Sequence, residues 1–197
     1  MKYSVITFGC RVNQSDSLAF EEQFLRRGDE PAAPEVADVV VVNSCSVTAS
    51  ADQGTRQTVR RIARVNPAAR IIVTGCYATR EPADVASLPN VSEVVCNDDK
   101  PRLLSVIRGI SPGSGVERPE LPRALVSDRP GEGSCGAVIE PGVAGRTAYT
   151  LRVQTGCGEP CSYCIIPTTR GAPRSQPLDV LLAEVDRVVA LGFREIA

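Results

Sequence analysis

The sequence predicts an α/β protein: a parallel sheet flanked by helices, followed by the opening elements of a second strand-and-helix unit. Three observations carry this expectation. Short runs rich in β-branched residues recur through the first hundred positions, stretches with helical apolar spacing separate them, and glycine or proline closes the helical stretches. A chain of 197 residues that is 43% hydrophobic has enough apolar material for a substantial core.

Taken in order, residues 3–8 form the first expected strand, and residues 15–27 a helix with Leu18, Phe24 and Leu25 roughly on one face, stopping at Gly28. Residues 39–42 form a second strand. Residues 49–65 form a second helix, with Val59, Ile62 and Ala63 opposite an arginine face of Arg56, Arg60, Arg61 and Arg64, and it ends before Pro67. A third strand covers 71–74, a short helix 82–88, a fourth strand 93–96 and a last helix 102–108. Alternation of this kind implies right-handed crossovers and a sheet of the flavodoxin-like or Rossmann-like type, whose ligands sit beyond the carboxyl ends of the strands.

From residue 111 to 146 glycine and proline dominate and periodicity vanishes, which reads as an interdomain linker with a short strand near 137–139. A strand at 148–153, a cysteine-rich stretch, a helix at 177–191 ended by Gly192, and the start of a strand at 193–197 follow. One strand, one helix and part of another strand cannot bury a core alone, so this second domain is expected to be truncated. The division is thus 1–110, 111–146 and 147–197.

A net charge of −1 supplies no whole-chain basic footprint for nucleic acid. The arginine face of the second helix reads as a solvated surface before it reads as a phosphate contact. No apolar run approaches the ~20 residues that cross a bilayer, and the N-terminus lacks a signal-peptide cleavage site, so no membrane and a cytoplasmic location are expected. Eight cysteines in a reducing compartment argue for metal binding or catalysis over a disulfide framework. With no histidine in the chain, a soft-metal site must be rich in thiolates, which favours iron–sulfur clusters or tetracysteine zinc.

Cys157, Cys161 and Cys164 lie on the loop after a strand, spaced Cys-x3-Cys-x2-Cys. A four-iron cluster takes four ligands, so three local thiolates leave one iron open for a substrate or cofactor. Gly156 and Gly158 permit tight turns beside it. A zinc knuckle that borrows a distant thiol is the alternative. Separately, Cys10, Cys45 and Cys76 each follow an expected strand, and in a parallel sheet those ends lie side by side, so three thiols far apart in sequence should converge on one crevice. Asn13 and Asn43 could donate hydrogen bonds there. Buried strand-end cysteines acting as small hydrophobes are the plain alternative. Cys96 reads as a core residue and Cys135 as a linker thiol, neither with a role.

The stretch GCGEPCSYCIIPTTRG, with Tyr163 before its last cysteine and Arg174-Ser175 beyond it, resembles the signature of the radical S-adenosylmethionine (SAM) superfamily and, within it, the methylthiotransferases. The stretches TFGCRVNQSDS, VVNSCSVT and VTGCYA resemble the three motifs of that family's N-terminal domain. The resemblance implies that Cys10, Cys45 and Cys76 ligate an auxiliary [4Fe-4S] cluster and that Cys157, Cys161 and Cys164 ligate a second one, whose open iron chelates SAM. It implies cleavage of SAM to a 5′-deoxyadenosyl radical, hydrogen abstraction from a substrate carbon, and insertion of methylated sulfur there, driven by a reducing electron donor. Tyr163, Arg170 and Arg174 are candidate SAM or substrate contacts, against ordinary packing and ion pairing.

The wording GCRVNQ is most similar to the branch that modifies N6-threonylcarbamoyladenosine in tRNA beside the anticodon. The branches acting on isopentenyladenosine in tRNA and on a ribosomal-protein aspartate are the alternatives. By the same resemblance the second domain is the start of a radical SAM (β/α) partial barrel, and this polypeptide alone is expected to be inactive. A non-catalytic iron–sulfur or zinc-binding fragment and an electron-transfer module are the readings from other classes.

Overall fold

The structure, a computed structural model, describes residues 1–108 and 148–197. The linker expected at 111–146, its strand at 137–139 and Cys135 lie outside the described residues.

β1 (Lys2–Thr7), β2 (Glu30–Pro31), β3 (Val39–Ser44), β4 (Arg70–Gly75) and β5 (Val91–Val95) form one sheet in the order β2-β1-β3-β4-β5, with every neighbouring pair parallel. This is the flavodoxin-like order, whose switch point falls between β1 and β3. The expected α/β parallel sheet is present, and β2, only two residues long, is an addition that no hydrophobic run announces.

The central strand shows why the sheet needs cover on both faces. All six residues of β3 are buried. Because successive side chains point to opposite faces, Val40 and Val42 join Val59, Ile62, Ile71, Val73, Tyr77 and Val85 in one core, while Val39 and Val41 join Tyr3, Phe20, Phe24, Ile72, Leu103 and Ile107 in another. Helix α2 (Ala49–Val65) covers the first face, with α3 (Cys76–Arg80) and α4 (Pro82–Ala86) beside it. The Thr48 hydroxyl accepts the Ala51 amide at its start and caps the helix. Helices α1 (Arg11–Arg26) and α5 (Leu103–Ile107) cover the second face, where the Tyr3 and Phe24 rings stack with centroids 4.3 Å apart.

Helix α1 begins four residues earlier than its apolar spacing announces, directly after Cys10. The helix expected at 102–108 is α5, and a 3₁₀ turn (Asn97–Arg102) that was not expected leads into it. Cys96, expected in the core, is half-buried at the head of that turn, and burial together with Asp99 and Asp98 pushes its thiol up from the usual value.

In the C-terminal segment β6 (Ala148–Tyr149) pairs in parallel with β9 (Glu195–Ile196) across helix α7 (Leu178–Ala190). The strand expected at 148–153 is cut short. Gln154–Thr155 (β7) turns away to pair antiparallel with Arg174–Ser175 (β8), which closes a hairpin around the cysteine loop and the short helix α6 (Ile166–Arg170). Tyr149, Val188 and Phe193 make a small core of this segment, and Leu18 of α1 packs against it.

Candidate functional site

Thr7 of β1 is in register with Asn43 of β3, and Ser44 of β3 with Gly75 of β4. Cys10, Cys45 and Cys76 therefore leave three adjacent strands at the same edge of the sheet, the first two flanking the switch point, as the strand order predicts. Cys10 is exposed and occupies the N-cap position of α1, whereas Cys45 and Cys76 are buried.

Gly9 shows how closely the chain is drawn together here. Its φ is +93°, and a Cβ at that position would lie 2.3 Å from the Cys45 sulfur. Only glycine lets the first strand's end pass over the thiol of the second. Gly156, at φ +76°, serves the other triplet in the same way, since a Cβ there would lie 2.1 Å from the Ala172 carbonyl oxygen.

The two asparagines are tied into the scaffold. The Asn13 amide donates to the carbonyls of Phe8 (3.0 Å) and Ser44 (2.8 Å), and the Asn43 amide donates to the Asn13 carbonyl (2.7 Å) and the Ser17 hydroxyl (2.9 Å). Their donors, expected to face a ligand, instead clamp the strand ends together. The Asn43 Oδ1 atom remains buried and without a hydrogen-bond partner.

The second triplet sits on the hairpin loop. The Cys157 amide donates to the Gly171 carbonyl and the Cys164 amide to the Cys161 carbonyl, both at 3.1 Å, so the loop folds back on itself before α6 begins. Cys161 is exposed, Cys157 and Cys164 are half-buried, and Tyr163 is 88% exposed. Helix α6 packs against α3, the helix that Cys76 opens. Asn97 donates to the Thr169 carbonyl at 2.7 Å across this junction, and its amide lies 3.8 Å from the Cys76 sulfur.

Arg174 reaches the Asp98 carboxylate at 2.7 Å on the surface. Arg170 turns inward: it donates to Asn13 Oδ1 at 2.9 Å and lies 3.7 Å from Asp16. Asp16, 6% exposed, also holds Lys100 at 2.6 Å and Arg152 at 2.7 Å. Burial pushes its carboxyl up, and Lys100, Arg152 and Arg170 more than reverse this, so it lies below the usual aspartate value. Burial pushes the Lys100 ammonium down, with Asp16 opposing. A cavity of about 290 Å³ opens beside this group, bordered by Asn97, Lys100, Arg152, Arg170 and Arg174.

Sequence reasoning missed Asp16 and Lys100. A signal for Asp16 exists: Asn13, Asp16, Ser17, Phe20 and Phe24 follow one another at helical spacing on the buried face of α1, so the polar members belong to the packed stripe. Lys100, alone in a charged turn, carries no such signal. On α2, Arg56 donates to the Tyr77 hydroxyl at 2.7 Å and Arg61 pairs with Glu35 at 2.9 Å, uses that accord with a solvated face.

Two triplets of thiols, with no imidazole, form a donor set whose softness suits iron–sulfur clusters, and the crowding of Gly9 on Cys45 brings backbone against sulfur as a cluster-binding loop requires. Among the described residues, no three cysteine, aspartate or glutamate side chains are gathered closely enough to hold a metal ion, so each triplet shares a location without presenting a formed coordination shell.

Residues 2–97 match the model of a family described as uncharacterized protein family UPF0004. The threonylcarbamoyladenosine tRNA methylthiotransferase MtaB of Bacillus subtilis is 34% identical over 195 residues, covering 96% of this chain and 41% of that protein. The tRNA-2-methylthio-N(6)-dimethylallyladenosine synthase of Sorangium cellulosum is 36% identical over 205 residues, covering 99% and 40%. The chain thus spans about two fifths of the length of these curated relatives. Among solved structures, the radical S-adenosylmethionine methyltransferase TsrM from Kitasatospora setae, with cobalamin and a [4Fe-4S] cluster bound, matches 99% of this chain and 47% of its own. Its TM-score of 0.56 at 14% identity is a likeness of fold. With residues 2–97 matched by that family model and the similarity to methylthiotransferases running on through the cysteine loop, the chain resembles the N-terminal part of these methylthiotransferases over nearly its whole length.

Proposed function

We propose that the chain is the N-terminal part of a tRNA methylthiotransferase that adds a methylthio group to C2 of N6-threonylcarbamoyladenosine. The observation that supports this reading best is the junction itself: α6, which follows the last cysteine of one triplet, packs on α3, which begins with the last cysteine of the other. Such a reaction needs two cysteine-held centres brought to one substrate, and this packing is what a protein would use to do so.

In this reading Cys10, Cys45 and Cys76 hold one [4Fe-4S] cluster, and Cys157, Cys161 and Cys164 hold a second together with SAM. When bound, these groups supply radical cleavage of SAM and the sulfur to be transferred. The chain's own residues supply position. Gly9 lets β1 close over Cys45, Asn13 and Asn43 lock the strand ends, and the Gly171 carbonyl fixes the start of the cysteine loop. Tyr163 is exposed beside Cys164 and available to stack on a purine ring, and Arg174 stands at the mouth of the same hairpin. Arg170, spent on Asn13 and Asp16, serves SAM only by holding the loop. The domain division at 1–110 and 147–197, a cytoplasmic location and a reducing electron donor belong to the same proposal. Among the described residues no helix is long and apolar enough to cross a membrane.

The similarity to a dimethylallyladenosine synthase keeps a second tRNA substrate in view. The full-length protein produced in a bacterial strain without threonylcarbamoyladenosine methylthiolation decides between them, by mass spectrometry of digested tRNA. The expected product is the 2-methylthio derivative of threonylcarbamoyladenosine, absent when Cys10→Ala or Cys157→Ala is introduced. Methylthiolation of isopentenyladenosine in a strain lacking that activity, with none of the threonylcarbamoyl product, would transfer the assignment, and neither product would remove it.

A further inference from the structure

We propose that Asp16 is the positioning residue that sets the Cys157–Cys164 loop against the sheet edge bearing Cys10, Cys45 and Cys76. The proposal rests on the reading that both triplets serve one site.

Asp16 is 6% exposed and meets three cations from three different segments. Lys100 comes from the 3₁₀ turn after β5, Arg152 from the stretch between β6 and β7, and Arg170 is the last residue of α6. The carboxylate divides its oxygens between them: Oδ2 takes Lys100 at 2.6 Å and faces Arg170 at 3.7 Å, while Oδ1 takes Arg152 at 2.7 Å. Lys100 belongs to the N-terminal unit, and the two arginines bracket the cysteine loop in sequence. One side chain of α1 therefore fastens the loop on both sides.

The connection continues to the strand ends. Arg170 also donates to Asn13 Oδ1, and the Asn13 amide donates to the carbonyls of Phe8 and Ser44, the residues just before Gly9 and Cys45. A line of charge-assisted and amide hydrogen bonds thus runs from the helix after one triplet to the backbone beside the other. Asp98 pairs with Arg174 at the surface, so Asp16 is the carboxylate that serves Lys100, Arg152 and Arg170 in the buried group. Taking away its charge leaves two buried cations, Lys100 and Arg170, and the half-buried Arg152 facing one another, an arrangement that the loop relieves by moving off the sheet.

Hydrogen–deuterium exchange of the full chain tests this without any cluster present. In Asp16→Asn, amides of residues 157–170 are expected to exchange at least tenfold faster than in the parent, with β3 and β4 unchanged. Arg170→Gln, which removes the loop's arm and leaves Lys100 and Arg152 on Asp16, is expected to act in the same direction. Asp16→Glu, which keeps the charge, is expected to stay within threefold of the parent. Unchanged loop exchange in the Asn and Gln variants, equal acceleration in the Asn and Glu variants, or loss of protection in β3 and β4 together with the loop would overturn the proposal. A parent chain that binds no iron on anaerobic reconstitution while this exchange pattern holds would sink the functional reading and leave the placement of Asp16 standing.

Discussion

Gly9 and Asp16 are the residues on which the junction turns, one through the space it leaves and the other through its charge. A methyl group at Gly9 meets both a positive φ and the Cys45 sulfur, so Gly9→Ala is expected to cost roughly 1–3 kcal/mol, read from the urea midpoint of unfolding. Asp16 predicts the acid behaviour. Its folded-state carboxyl titrates below an unfolded aspartate, so its contribution is fully present above about pH 4 and is lost as pH falls through the folded value. Unfolding of the parent followed from pH 6 to pH 3 should show a loss of stability on the acid side that Asp16→Asn, already lacking the charge, shows to a smaller extent. Spacing marked Cys157, Cys161 and Cys164 in the sequence as candidates, and position after an expected strand marked Cys10, Cys45 and Cys76. The carboxylate was missed: its place on the helical stripe of Phe20 and Phe24 marks it as facing inward, but its partners lie 84, 136 and 154 positions away, so its role has no local sign.

Helix α1 concentrates the scale of elements. Its buried stripe is apolar at the C-terminal end, where Phe20 and Phe24 meet β1 and β3, and polar at the N-terminal end, where Asn13, Asp16 and Ser17 meet the junction. The apolar end was readable from spacing; the polar end was not, and so the helix is announced four residues late. Phe24 is fully buried against Tyr3, and Phe24→Ala is expected to destabilise the chain by about 3–5 kcal/mol, measurable in the same urea titration. Helix α2 was legible from end to end, because Val59, Ile62 and Ala63 keep helical spacing and Pro67 follows its end, although the N-terminal half of its buried face is the polar Asp52 and Thr55. The elements that escaped, β2, α3, α6, β7 and β8, are two to five residues long, and the strands among them owe their form to pairing with distant partners that no local pattern encodes.

At the scale of the whole molecule, a parallel sheet and a cysteine-bearing hairpin meet across one buried ion-pair group. Alternating runs and strand-end cysteines were enough to read the sheet and the edge to which three thiols come. The way the second triplet docks was not readable, since it depends on pairings between segments separated by residues 109–147. In the proposed function each triplet holds its own cluster. Iron and acid-labile sulfide after anaerobic reconstitution, compared between the parent chain and a Cys157/Cys161/Cys164→Ala variant, test it most directly. Two four-iron clusters predict about eight irons falling to about four; four or fewer in the parent and no change in the variant would contradict it.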